Sequence, residues 1–170
     1  GRGVSISYRH KLFLGRGTSV GANAVIQAYS TRGIRLAPRV TIRENAWIQC
    51  SSHPSAPGVG LIVGTGTYIG PRATIGVGGE VRIGARCQIG ANFTVVAENH
   101  ARDESGRPSG TEVERIGILI GEGCWIGHGV TILDGVSLGD GCTVGAGAVV
   151  TKSFPAGSRI AGVPATVLGR

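Results

Sequence analysis

Residues Ile120–Pro155 read IGEGCWIGHGVTILDGVSLGDGCTVGAGAVVTKSFP, which divides into six phrases of six residues. Each phrase opens on an aliphatic residue, and Gly usually stands second and fourth. The same phrase runs upstream as LGRGTS, VGANAV, IQAYST from Leu14 and LAPRVT, IRENAW, IQCSSH from Leu36. It continues as VGTGTY, IGPRAT, IGVGGE from Val63 and IGARCQ, IGANFT, VVAENH from Ile83. That makes 18 hexads in six groups of three, with an aliphatic at position one of every hexad. Position four is Gly or Asn in 11 of the 18, residues that tolerate positive φ, so a tight corner is expected there. By the same reasoning Asn92 is a turn residue.

Three short strands and three corners make one triangular coil, and successive coils stack as parallel strands about 4.8 Å apart. Each coil buries its aliphatics only against its neighbours. The period is interrupted by insertions of four, nine, two and 19 residues, each following the third hexad of a coil. All insertions should therefore leave from one edge of the prism, and that edge becomes the functional face, because loops carry chemistry on a scaffold that supplies position. The sequence divides into an N-terminal segment 1–13, a repeat region 14–155 with its long loop at 101–119, and a C-terminal cap 156–170.

Composition fits this reading. Gly is 31 of 170 residues and aromatics are 5%, as in a core of stacked short aliphatics. No apolar run approaches the roughly 20 residues of a membrane span, so neither an integral membrane segment nor a signal peptide is expected. The four cysteines, Cys50, Cys87, Cys124 and Cys142, form no C-x-x-C pair. Three of them share position five, a place for small buried thiols, so a reducing cytoplasm is expected. The net charge of +7 comes almost wholly from Arg. No basic run is interleaved with aromatics, which argues against nucleic acid. Arg39, Arg43, Arg72, Arg82 and Arg86 hint instead at an anionic partner.

The hexads grouped in threes resemble the hexapeptide-repeat acyltransferases. The segment Trp125–Arg170, with WIG, GAGAVVTK and AGVPA, together with Asn99–His100, is similar to the maltose, galactoside and polysaccharide O-acetyltransferases. The resemblance implies an all-β, left-handed parallel β-helix of about six triangular coils. Handedness rests on the resemblance alone, since the general rule for parallel crossovers gives right-handed ones. It also implies acetyl-CoA as co-substrate, no metal, and a homotrimer with sites between subunits.

His100 ends the third hexad of coil four and starts the longest insertion. Taken alone it is a surface His at a loop start. In the family a His at this junction is the general base, and an imidazole titrating near neutrality suits removal of a proton from a hydroxyl that attacks a thioester. Glu98, Asp103, Glu104 or a main-chain carbonyl could orient it. The resemblance places Trp125, Gly127, His128, Ala146, Gly147, Thr151 and Lys152 along the pantetheine arm. It places Arg159, Arg170 and the loop Ile160–Pro164 near the adenosine phosphate. His53, Phe93 and Asn99 are candidates for the acceptor site. If corners stay in register, His53, Glu80 and His100 form a column, with the two histidines about 10 Å apart. That is too far for one metal.

The reading that results is acetyl transfer to a sugar hydroxyl of a polysaccharide or saccharide precursor, by direct attack without an acyl-enzyme. The alternative is N-acetylation of an amino sugar, nucleotide sugar or antibiotic. A metalloenzyme of the γ-carbonic-anhydrase kind is less well served, because the only histidines are His10, His53, His100 and His128, with no H-x-x-x-x-H. A non-catalytic solenoid is the remaining reading.

Overall fold

The computed structural model describes residues 1–50, 55–102 and 104–169, with 109–111 by backbone alone. Three largely parallel sheets, which we label A, B and C, form the sides of a triangular prism. The chain visits them in the order B, C, A and then returns to B one coil further along.

The hexads set the register. In sheet A the partners are Ile26, Ile48, Ile75, Val95, Ile132 and Val150. In sheet B they are Leu14, Leu36, Val63, Ile83, Ile120 and Leu138. In sheet C they are Val20, Ile42, Ile69, Ile89, Ile126 and Val144. Every residue that opens a hexad thus lies beside the corresponding residue of the next coil. Nearly all are buried, whereas Leu14 in the first coil, packed on one side only, is 52% exposed. The winding extends past the hexads at both ends: Ile6 pairs with Ile26, and Ile160 with Val144. In the segment expected as a cap, Arg159–Ala161 lies in sheet C and pairs antiparallel with Thr166–Val167.

Main-chain bonding continues around the corners. Asn45 N–H donates to Ala22 O, Asn92 N–H to Pro71 O, and Gly129 N–H to Ala91 O, at 2.8–2.9 Å. At the corners that leave sheets B and C the position-four residues have positive φ, and three of them are arginines: Arg39, Arg72 and Arg86, at φ 57–60°. A side chain there costs about 1–2 kcal/mol. Each of the three sites is held by the same coil-to-coil N–H bond, to Arg16 O, Glu44 O and Thr65 O. Close approach also explains a glycine at position two. A Cβ on Gly90 would lie 2.7 Å from His128 N, and one on Gly127 2.6 Å from Ala146 N.

Position five of the first hexad carries a column of small donors. Thr18, Thr67, Cys87, Cys124 and Cys142 each donate to a carbonyl of the next coil: Ala37, Gly84, Gly121, Gly139 and Pro155. All four cysteines are buried and free. Burial pushes the Cys50 thiol up to about 11. The Cys87 thiol beside it, then burial, push Cys124 above the ordinary thiol range.

Phe93 corrects one expectation. It was a candidate for the acceptor wall, yet it is 0% exposed. It occupies position five of a second hexad, where coils one to three carry Ala24, Ala46 and Ala73. The ring fills the prism interior and presents no surface to a ligand. Among the described residues no helix is long and apolar enough to cross a membrane.

Phe93→Ala should therefore lower unfolding free energy by about 3–5 kcal/mol, the usual cost of emptying a core aromatic site. The denaturant midpoint measures it. An unchanged midpoint with a raised acceptor KM would return Phe93 to the acceptor site.

Candidate functional site

The insertions around 28–33, 55–59, 77–79 and 97–117 all lie between a strand of sheet A and the next strand of sheet B. This is the AB edge. The longest insertion is not the irregular loop expected. It is an antiparallel arm formed by Asn99–Arg102 and Pro108–Glu114, with Asn99 opposite Glu114 and His100 opposite Val113. Asn99 and His100 are exposed at its base. With Arg102, Pro108 and Glu114 they line a recess of about 500 Å³.

The root of the arm is tied to the prism by two carboxylates. Glu98 meets Arg115 at 3.3 Å, and the Arg115 guanidinium also donates to Pro57 O at 3.1 Å. Asp134, one coil further on, accepts from the Ile116 and Gly117 N–H groups at 2.9 and 2.7 Å. Both chain ends of the arm are thereby fixed where it leaves and rejoins the helix. Of the carboxylates considered as orienters of His100, Glu98 is engaged by Arg115, Glu104 is exposed, and Asp103 lies outside the described residues. Among the described residues no side chain hydrogen-bonds to His100. Arg115 and Asp134 were not singled out in the sequence. Asp134 stands at position three of ILDGVS, where nothing but its place after the insertion marks it.

A second group lies on the CA edge, where chains pass from sheet C to sheet A. Trp125 is 59% exposed on sheet C. Gly127 and His128 follow it into the corner, and the Gly147 N–H donates to His128 O at 2.8 Å. Ala146 stacks on Gly127, as the close approach above shows. Trp125, Gly127 and His128 line a shallow cleft of about 170 Å³ with Tyr68, Gln88 and Gly90.

The structure thus divides the expected site. Trp125, Gly127, His128, Ala146 and Gly147 come together at the CA edge. His100 and Asn99 stand at the AB edge, as do Thr151 and Lys152 two coils on, where Lys152 Nζ lies 5.7 Å from the Phe154 ring centroid. A single groove in one chain, with the base facing the cofactor residues, is not what this structure contains. Sheet A separates the two edges. Its outward residues include Val25, Trp47, Thr74, Thr94, Val96, Thr131 and Val149, and none of its strands carries a charged residue. His53 and Arg170 lie outside the described residues. Among the described residues no group of three or more His, Cys, Asp or Glu could hold a metal ion.

A family model described as bacterial transferase hexapeptide (six repeats) matches residues 117–152. No curated protein matches the sequence. Solved structures do. Galactoside acetyltransferase in complex with coenzyme A shares 26% identity over 94% of this chain and 64% of that one, with TM-score 0.64. The polySia-specific acetyltransferase NeuO shares 21% identity over 98% of this chain and 85% of that one, with TM-score 0.64. AntD, an N-acyltransferase from Bacillus cereus in complex with dTDP and coenzyme A, shares 16% over 98% and 82%, with TM-score 0.69. The chain carries the hexapeptide repeat and folds as the left-handed parallel β-helix of the hexapeptide-repeat acetyltransferases.

Proposed function

We propose that this protein transfers an acetyl group from acetyl-CoA to a saccharide hydroxyl, at sites formed between copies of the chain in a homotrimer. The observation that carries this reading is the division of the candidate residues between the two edges of an uncharged sheet. If three prisms turn sheet A toward a threefold axis, the AB edge of one meets the CA edge of the next. His100 of one copy then stands across from Trp125, His128 and Gly147 of its neighbour. An exposed Trp47, 51% accessible on the third of the seven strands of sheet A, supports burial of that face.

The pantetheine arm of acetyl-CoA lies along Trp125, Gly127, His128, Ala146 and Gly147. Thr151 and Lys152 of the copy that supplies His100 reach it across the interface, with Arg159 of the other copy toward the adenosine phosphate. The acceptor hydroxyl, held near His100 and Asn99, passes its proton to the imidazole as its oxygen attacks the thioester carbonyl. A main-chain N–H of the adjoining corner stabilises the tetrahedral oxyanion. Collapse expels the CoA thiolate, which takes the proton back from the imidazolium. The arm is pinned by Arg115 and Asp134, so His100 sits on a fixed element and not on a free loop. The likeness to galactoside acetyltransferase in complex with coenzyme A supports the donor and the class of acceptor. Four free buried thiols suit a reducing compartment, and we place the reaction in the cytoplasm.

An acetyl-CoA consumption assay over neutral sugars, acidic sugars and amino sugars tests this reading. His100→Ala should lower kcat by about 10²–10⁴-fold and leave CoA binding intact. Unchanged turnover sinks the mechanism, and turnover of amines alone moves the reaction to nitrogen. Trp125→Ala should raise the KM for acetyl-CoA. Mixed assemblies of the two variants, assayed at subsaturating acetyl-CoA, should regain activity, because some interfaces then pair an intact His100 with an intact Trp125. Absence of any recovery, with mixing verified by mass, would place both residues in a site within one chain.

A further inference from the structure

Further up the AB edge from His100, on the outer side of sheet B, is a recess of about 330 Å³ lined by Lys11, Phe13, Arg32, Gly33, Arg35 and Ile62. Nothing in the acetyl-transfer reading uses it. Three cationic side chains converge there. The carboxylate that answers them is Glu80, which binds Arg32 at 2.8 Å and is shared with Arg82, also at 2.8 Å. Arg82, then Arg32, hold the Glu80 carboxyl below its ordinary range by hydrogen bonding, so it stays an anion spent on two partners. Among the described residues Lys11 Nζ reaches only the Thr31 carbonyl, at 3.4 Å. The Arg35 guanidinium lies over the Phe13 ring, 4.3 Å from its centroid. It has no hydrogen bond or ion pair among the described residues. Stacking orients this fork of donors and leaves its N–H groups unspent.

The floor is built to stay open. A Cβ on Gly33 would lie 2.6 Å from Lys11 O and 3.1 Å from the Phe13 ring, and its φ is +79°. Two cations and an oriented guanidinium above a bare floor make a receptor for an oxyanion. The volume suits about one sugar ring. Bases of a nucleic acid would need an open aromatic face to stack on, and Phe13 is already covered by Arg35. The recess spans coils one to three, and the arm leaves coil four. Two to three coil rises, about 10–15 Å, therefore separate it from His100 along the same edge.

We propose that this recess is an acceptor subsite, which binds an oxyanion-bearing sugar unit of an acidic oligosaccharide while a neighbouring unit presents its hydroxyl to His100. The second half of that statement rests on the acetyl-transfer reading; the binding does not. The anionic group is a carboxylate or a phosphate, and the probes below separate the two.

Calorimetric titration of the intact protein with hexagalacturonate, a glycerol-phosphate oligomer, maltohexaose and a single-stranded DNA oligonucleotide tests the binding. At least one acidic oligomer should bind in a salt-dependent way, and maltohexaose should not. Arg35→Ala and Lys11→Ala should each weaken it about tenfold or more, the scale of one charge-assisted hydrogen bond. Arg35→Lys should recover only part of the loss. Arg72→Asn, which removes a charge at the CA edge and keeps a residue suited to its corner, should change nothing. Thermal midpoints equal to the parent's exclude unfolding as the cause. Equal binding of maltohexaose, tighter binding of DNA, or indifference to Arg35→Ala overturns the proposal. If an acidic oligomer binds through Arg35 but no acceptor is ever acetylated, the subsite stands and the acetyl-transfer reading fails.

Discussion

The interaction on which everything else depends is the coil-to-coil main-chain ladder. Strand N–H groups bond to the carbonyls of the neighbouring coil, and so do the N–H groups of the corners. Each coil is therefore a template for the next, at a spacing that leaves room inside for one aliphatic per side. The ladder also dictates where extra residues can go. An insertion between coils displaces nothing only if it leaves and returns at one edge. The AB edge absorbs all four insertions, which leaves the BC and CA corners regular. The long arm is possible because Asp134 of the next coil receives the two N–H groups of the returning chain.

The same template explains which residues the corners tolerate. Glycine or asparagine suits positive φ, yet arginine stands at three such corners. The coil-to-coil N–H bond there fixes the backbone whatever the side chain, and the arginines point their charge outward. Arg86 meets Glu122 of the next coil at 2.6 Å, and Arg72 donates to Asn92 at 2.8 Å. With both groups exposed, the Arg86 pair adds little stability. The strain is carried by the repeat, not by these contacts.

Much of this was legible in the sequence. Counting hexads placed all 18 aliphatics in their true ladders and put every insertion at one edge, because a ladder with fixed spacing converts position in the chain directly into position in space. The division of the site was legible too. His128, Ala146 and Gly147 fall in second hexads and His100 in a third, so the count itself assigns them to different edges. The expectation that the loop-bearing edge is the functional face overlooked this count. Phe93 misled for another reason: position five holds small residues elsewhere, and an outlier in size was read as an outlier in role. The hairpin form of the arm and the bonds of Arg115 and Asp134 were not legible. They lie outside the period, where the repeat says nothing.

The proposed split of the site between the two edges of one sheet has a geometric consequence. Each half would be completed by a surface of the opposite kind, so a contact between copies would be head-to-tail, the kind that forms a ring when the rotation between copies closes. Sheet A, uncharged across its strands, is the surface that such closure would bury, and burial there costs no desolvation of charge. The sheets on either side do carry charged residues in their strands. Sheet B carries Arg35 and Arg82 on its outer side, beside Phe13, Ile62 and Leu119. In a ring closed through sheet A this flank stays open to solvent and runs directly up to the arm. A large anionic acceptor could then approach along sheet B without entering the interface. Only the hydroxyl to be acetylated would need to pass between two copies of the chain.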